Sequence, residues 1–406
     1  MSDIEISLQQ ARSFQILSLG LGTPRQQPAQ KEDLLPVIRQ MGLLQLDTIH
    51  IVARSHYFVM WSRLGQYNPE WLDDLLREKQ LFEYWAHAAS WLPMEDYPLM
   101  KWRIEEEISK RENPNTWAAR NADLISAIRA RVEERGPVTS SDFPPESKAS
   151  GTWWSWSAEK SALEALYTMG ELMVARRDKF QRVYELTARL HPEISSLPPI
   201  DGAVARAALI ERTVKILGVC QPRWVADYYR LPKKETQQIL DKFLVNGTLL
   251  PVKVEGWNVP GLIHPENLPL LKNIQEGAQK PSGTSLLSPF DPLAWDRARL
   301  QGLFGMDFKV ECYTVPEQRK YGYWLLPILH ENQMAGRVDI KANRQRKVLE
   351  LKGIFLEPGM LPDAGFIQGL TDTLRSCASF HHLESIEIGA CSDVDFKADL
   401  QESLKI

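Results

Sequence analysis

LMVARRDKFQRVYEL (172–186) and TLLPVKVEGWNVP (248–260) decide how this chain is read. Each alternates apolar and polar residues around a turn signal, near Asp178 in the first and at Gly256 in the second, as a β-hairpin does. Helical periodicity precedes both. Ahead of the first, Leu124, Ile125, Ile128 and Val132 recur at helical spacing up to Gly136-Pro137. After the short segment 138–143, a further helical pattern carries Ala162, Leu163, Leu166 and Met169. Ahead of the second hairpin, a helix through Leu209, Ile210, Val214 and Leu217 stops at Gly218. A short helix follows at 224–229, and another through Ile239, Leu240, Phe243 and Leu244 stops at Asn246-Gly247. Both stretches read helix, helix, helix, hairpin in about sixty residues. That is the order of a winged helix.

Working outward, the N-terminal part has the same order. Leu8, Ala11, Phe14 and Leu17 mark one helix, ended by GLGT (20–23); Leu34, Val37, Ile38 and Met41 mark another. A third covers 52–64. Asn68-Pro69 caps a helix ending near Gln80, and FEYWAHAASWLP (82–93) reads as paired strands. Beyond the Gly-, Pro- and Ser-rich linker EGAQKPSGTS (276–285), the chain is chiefly strand-like: FKVECYTV, YGYWLLPIL, AGRVDIKA and KVLELKGIFLE. A helix at 366–379 and the strand LESIEIG close it. The expectation is an α+β protein: winged-helix modules at 1–118, 119–200 and 201–280, then a C-terminal β-barrel-like domain at 281–406.

Composition narrows the function classes. The 406 residues are 44% apolar and 25% charged, without the ~20-residue apolar run of a membrane span. MSDIEISLQQ is not a secretory leader, so a cytoplasmic protein, nucleoid-associated when on DNA, is expected. Cys220, Cys312, Cys377 and Cys391 are far apart, and neither they nor the eight histidines show metal-ligand spacing, so no metal or cofactor is expected. P-loop, GxGxxG and GxSxG motifs are missing, which removes support for ATP-driven or serine-hydrolase chemistry. A net charge of −4 does not drive the whole chain onto DNA, so a nucleic-acid function needs local basic residues. The hairpin tip supplies them: Arg176, Arg177, Lys179 and Arg182 against Asp178. EQRK (317–320) and NRQRK (343–347) are weaker candidates. Trp153, Trp154 and Trp156 serve either base stacking or a core or interface, which the spacing favours.

In LLQLDTIH (43–50), Gln45 and Asp47 share a face if the chain is extended and diverge by about 200° on a helix. An adjacent amide and carboxylate can hold a water and stabilise positive charge at a sugar carbon. The spacing alone favours a capping Asp beside a surface Gln over such a site.

The chain closely resembles the winged-helix DNA glycosylases of the YcaQ/AlkZ type, which unhook interstrand crosslinks. The resemblance rests on QLDTIHIVARSHYFVMWSRLG (45–65), FEYWAHAASWLP, SPFDPLAWDR (288–297), ECYTVPEQRKYGYWLLPIL (311–329) and GRVDIKANR (336–344). The family's catalytic element, Gln, an apolar residue, then Gln or Asp, is here Gln45-Leu46-Asp47, the form of the YcaQ-like branch. The resemblance implies a monofunctional glycosylase acting on N7-alkylguanine in duplex DNA, both monoadducts and crosslinks, with Asp47 stabilising the oxocarbenium-like sugar and activating water that Gln45 positions. His50, Arg54, His56 and His87 face the lesion or pack in a core, and whether the base is flipped stays open. Without a dimerisation heptad, a monomer is expected. The alternative is a winged-helix transcriptional regulator without catalysis.

Overall fold

The computed structural model describes residues 4–25, 27–143, 157–195, 197 and 200–405. It is a mixed α+β protein with several separate sheets. Trp153, Trp154 and Trp156 lie outside the described residues. The chain forms two compact units, one of Met1–Pro69 with Ile210–Ile406 and the other of Glu70–Leu209. No helix among the described residues is long and apolar enough to cross a membrane.

In the unit Glu70–Leu209, the helix Glu70–Arg77 leads into an antiparallel hairpin of Leu81–Trp85 and Ala89–Pro93. The helix Ala122–Arg135 ends at Gly136 (φ +84°), and Ala158–Thr168 starts where the Ser157 hydroxyl accepts the Lys160 N–H. Both helices pack with the hairpin Leu172–Asp178 and Gln181–Leu186, and Val138 bridges to Tyr184. Ile125, Ile128, Val132, Leu163, Leu166, Val174 and Val183 are the buried faces that the helical and alternating periods place together. The tip turns at Lys179 (φ +49°) and Phe180 (φ +70°), the left-handed pair that a two-residue hairpin turn requires.

In the larger unit, Gly202–Leu217 enters from the preceding segment and is followed by Pro222–Tyr228 and Lys233–Val245. The strands Leu250–Val254 and Gly261–Ile263 pair antiparallel around Gly256 (φ +77°). They gain Val219–Cys220 on one side and the N-terminal strand Ile4–Ile6, parallel, on the other. Leu8–Ser18 is held by a Ser7–Gln10 capping box. Leu34–Met41 stops at Gly42 (φ +72°), where a Cβ would meet the Tyr229 hydroxyl at 2.3 Å. Only glycine allows that close, left-handed turn, and the turn aims the chain into the short strand Leu44–Gln45.

The C-terminal strands correct the expected β-barrel. Thr284–Leu286, Leu325–His330, Gln333–Asn343, Val348–Leu356 and Ser385–Cys391 form one open sheet in that order, with the last strand parallel to its neighbour. The helix Ala364–Phe380 is the crossover that makes it parallel, and it packs against both edge strands. Phe366, Leu370, Leu374 and Cys377 bury the helix face, so the helix covers the core that a barrel would cover by closing.

FKVECYTV, which alternates like a strand, is instead part of a loop. The Glu311 carboxylate accepts the backbone N–H groups of Lys320 (3.1 Å), Tyr321 (2.9 Å) and Gly322 (3.1 Å), closing residues 311–322 on themselves. Asp339, in the facing strand, accepts from Tyr323 N (3.0 Å) and Trp324 N (2.8 Å). Gly322 (φ +146°) sits so close to Asp339 that a Cβ would lie 2.0 Å from its carboxylate.

Candidate active site

Gln45 ends its short strand and is 8% exposed, with Oε1 buried and meeting no donor among the described residues. Asp47 follows, just past the strand. It is half-buried, and its Oδ1 accepts the Ile49 N–H at 2.7 Å in an Asx-type turn. Burial pushes the Asp47 carboxyl above the usual carboxylate range, and the Ile49 bond only partly offsets this. No salt bridge to a cation neutralises it among the described residues, so its charge is available to a ligand.

The 311–322 loop lies beside it. Asp47 is within electrostatic reach of the Cys312 thiol and the Tyr313 phenol. Burial first and the carboxylate second push these up to about 11 and about 12, so both stay neutral at ordinary pH. Cys312 is half-buried, as is Cys391, while Cys220 and Cys377 are buried in the core.

A few residues after Asp47 the structure gathers bases that are remote in sequence. Arg344, at the tip of NRQRK, donates to the Val52 carbonyl and lies 3.2 Å from His50 Nε2. Ala342 N donates to Ile51 O at 3.3 Å. Burial, then Arg344 and Arg54, lower the His50 pKa. His381, at the end of the helix Ala364–Phe380, is pushed down to about 3, chiefly by burial and then by Arg344, His382 and His50. His50 is exposed and Arg54 half-buried on the loop, whereas His56 is buried in the following helix, Ser55–Leu64.

That helix is fixed from below. Ser55 Oγ meets Ser288 Oγ at 2.7 Å, and Arg63 forms a buried bidentate pair with Asp291 at 2.6 and 3.2 Å. Asp291 also accepts the Leu293 N–H at 2.9 Å. SPFDPLAWDR is thus the anchor of the helix behind Asp47, not a site itself.

The other basic candidates belong to the unit Glu70–Leu209. His87 is buried in the turn of its hairpin. Arg177 and Arg182 turn inward onto Glu83, whose side chain is fully buried: Arg177 binds it twice, at 2.7 and 2.6 Å, and Arg182 at 2.5 Å. Trp91 Nε1 completes the cluster at 3.2 Å. Burial alone would raise the Glu83 carboxyl, and Arg182 and Arg177 more than reverse this, holding it below its ordinary value. Arg176 pairs with Asp178 at the exposed tip, and Lys179 projects there too.

Gln45 and Asp47, singled out in the sequence, sit at and just past one strand end, and Cys312 and Tyr313, which the ECYTV alternation places in an ordinary strand, lie in the loop beside Asp47. The proximity of Arg344 to His50 is visible only in the fold.

With the geometry in place, the fold is similar to that of the Streptomyces sahachiroi DNA glycosylase AlkZ. The TM-score is 0.62 over 95% of this chain and 100% of that one, at 14% sequence identity. A family model described as DNA glycosylase AlkZ-like matches residues 38–380. The chain belongs to that family of DNA glycosylases.

Proposed function

We propose that this DNA glycosylase is monofunctional, hydrolysing the N-glycosidic bond of N7-alkylguanine in duplex DNA and unhooking interstrand crosslinks through that atom. Alkylation at N7 makes the base cationic, so little protonation is needed for it to leave. The N9–C1′ bond breaks with both electrons going to the purine, which departs neutral. Water adds to C1′ of the oxocarbenium-like sugar and gives its proton to Asp47, leaving an abasic site. Asp47 stabilises the developing sugar charge, and the buried Gln45 Oε1 accepts from the water and aims it. No residue in this scheme is a lysine, so no strand-cleaving lyase step follows.

The observation that carries the reading is the desolvated Asp47 carboxylate, with one oxygen fixed by Ile49 and no cation paired to it among the described residues, two positions after a buried amide oxygen that meets no donor among them. A carboxylate in a low-dielectric setting interacts more strongly with a nascent cation than one in water. We assign phosphate contacts to His50 and Arg54 next to the site, and to Arg176 and Lys179 at the exposed tip, with Arg344 tying the loop through the Val52 carbonyl. Arg177 and Arg182 hold their hairpin through Glu83, and His56 and His87 pack. The modules 1–118, 119–200 and 201–280 act as winged helices, the protein as a monomer in the cytoplasm and on the nucleoid.

The test is a duplex with one labelled N7-alkylguanine, incubated with wild type, Gln45→Ala or Asp47→Asn and then treated with alkali to reveal abasic sites. Cleavage by wild type, lost in both variants while DNA binding survives, is expected. Tight binding without abasic product on either a monoadduct or a crosslink refutes the hydrolase and favours a DNA-binding regulator.

A further inference from the structure

Tyr313 is 76% exposed and Val315, two residues on, is 53% exposed. Large apolar side chains are ordinarily scattered on a surface, but these two share one loop. The loop is not loose: Glu311 binds three of its backbone N–H groups and Asp339 two more just beyond it. Nearby cations are already over other rings, Arg319 over Tyr323 and Lys320 over Tyr321, each at 4.8 Å. No cation lies over Tyr313 among the described residues. A fixed loop therefore holds an open aromatic face to solvent beside the Asp47 carboxylate.

We propose that Tyr313 is the aromatic platform on which the alkylated purine stacks, making it a specificity-determining residue for a cationic base. The identity of that base rests on the glycosylase reading above; the geometry of the ring does not. Base–aromatic stacking serves any purine, and the negative face of the ring adds attraction only for a positively charged one. The neutral phenol keeps that face electron-rich without placing a second full negative charge beside Asp47. Asp47 then meets the charge developing on the sugar, and Tyr313 meets the charge already on the base.

The experiment is equilibrium binding at fixed salt, with the full chain and three duplexes. One carries N7-methylguanine on a 2′-fluoroarabino sugar that blocks hydrolysis. The second carries 7-methyl-7-deazaguanine, a neutral isostere, and the third is undamaged. Wild type and Tyr313→Phe should favour the cationic duplex over the isostere equally. In Tyr313→Leu and Tyr313→Ala that preference should fall about three- to thirtyfold, with undamaged-duplex binding and the thermal transition unchanged. A preference that survives in both Leu and Ala variants, or is absent from wild type, overturns the proposal, and so does its loss in Tyr313→Phe. Because no turnover is needed, this readout stands whether or not the wild type releases a base in the alkali assay.

Discussion

Replacing Glu83 with Gln separates the basic residues that hold the fold from those proposed to reach DNA. The Glu83 side chain is fully buried and its two oxygens take four donors, from Arg177, Arg182 and Trp91. Gln removes the charge and turns one acceptor into a donor that faces a guanidinium. Arg182 keeps Glu164 at 3.0 Å, but Arg177 keeps only the Phe180 carbonyl and ring. Breaking a buried pair in this way costs about 3–5 kcal/mol. For a unit the size of Glu70–Leu209, this lowers the midpoint of its thermal transition by roughly 10 °C. The sign with pH follows from the lowered Glu83 pKa. The stabilisation is present above the unfolded-state pKa and is lost as pH falls through the folded one, so the gap between wild type and variant closes in acid.

The assay is thermal unfolding followed by circular dichroism over a pH series, paired with DNA binding against salt. Arg176→Gln and Lys179→Gln should each reduce the slope of log K against log salt by about 0.9, the value for one released counterion. The Arg176–Asp178 pair at the tip is too exposed to hold Arg176 back. Arg177→Gln and Arg182→Gln should lower stability and leave the slope alone. A Glu83→Gln midpoint within 2 °C of wild type, or a salt slope that drops for Arg177→Gln as it does for Lys179→Gln, would refute the reasoning.

Other outcomes follow from the same structure. Single-turnover base release should fall as pH drops through the Asp47 pKa, with its acid limb above the range of an ordinary aspartate, because burial raises that carboxyl while Cys312 and Tyr313 stay neutral there. Since the folded pKa is raised, Asp47 stabilises most at low pH and this is lost as pH rises through it. Asp47→Asn should therefore be inactive yet at least as stable as wild type at neutral pH, as a melting curve will read. Arg344→Gln frees the Val52 carbonyl and the Asp47 loop; a rate loss of about tenfold on the N7-alkylguanine duplex is expected, with undamaged-duplex affinity little changed. Asp291→Asn leaves Arg63 buried against a neutral partner and should cost about 3 kcal/mol in urea unfolding.

Much of the backbone was legible because local signals and final contacts coincide. Gly136, Gly218 and Gly247 stop helices where the sequence says they should, and both opening hairpins turn where their punctuation lies. The failures are those in which one side chain's distant partner decides. Residues 308–315 have a strand's period, but Glu311 closes a loop with residues ten positions away, and alternation cannot reveal that. Four basic residues at one hairpin look alike in sequence, yet a buried glutamate some ninety positions earlier captures two of them. Strand counting suggests a barrel where the sheet is open, because it does not show that a crossover helix covers the core.

Beside the residues proposed to touch substrate, the segments carrying the family resemblance hold others that only fix those residues in place. Ser288 and Asp291 fix the helix after Asp47, Arg344 ties the Asp47 loop, and Glu311 and Asp339 fix the loop that presents Tyr313. A leaving group that is already cationic, as in the proposed reaction, would account for that division. The chemistry asks for no strong acid, only for a carboxylate, a water and a base held in fixed relation, so the barrier is lowered by placement more than by reactive groups. Two loops without regular structure would place them poorly. Each is therefore tied down by largely charge-assisted, part-buried bonds that regular secondary structure would otherwise make unnecessary. If so, substitutions in these ties should slow base release while sparing duplex affinity, the division expected of groups that orient rather than bind.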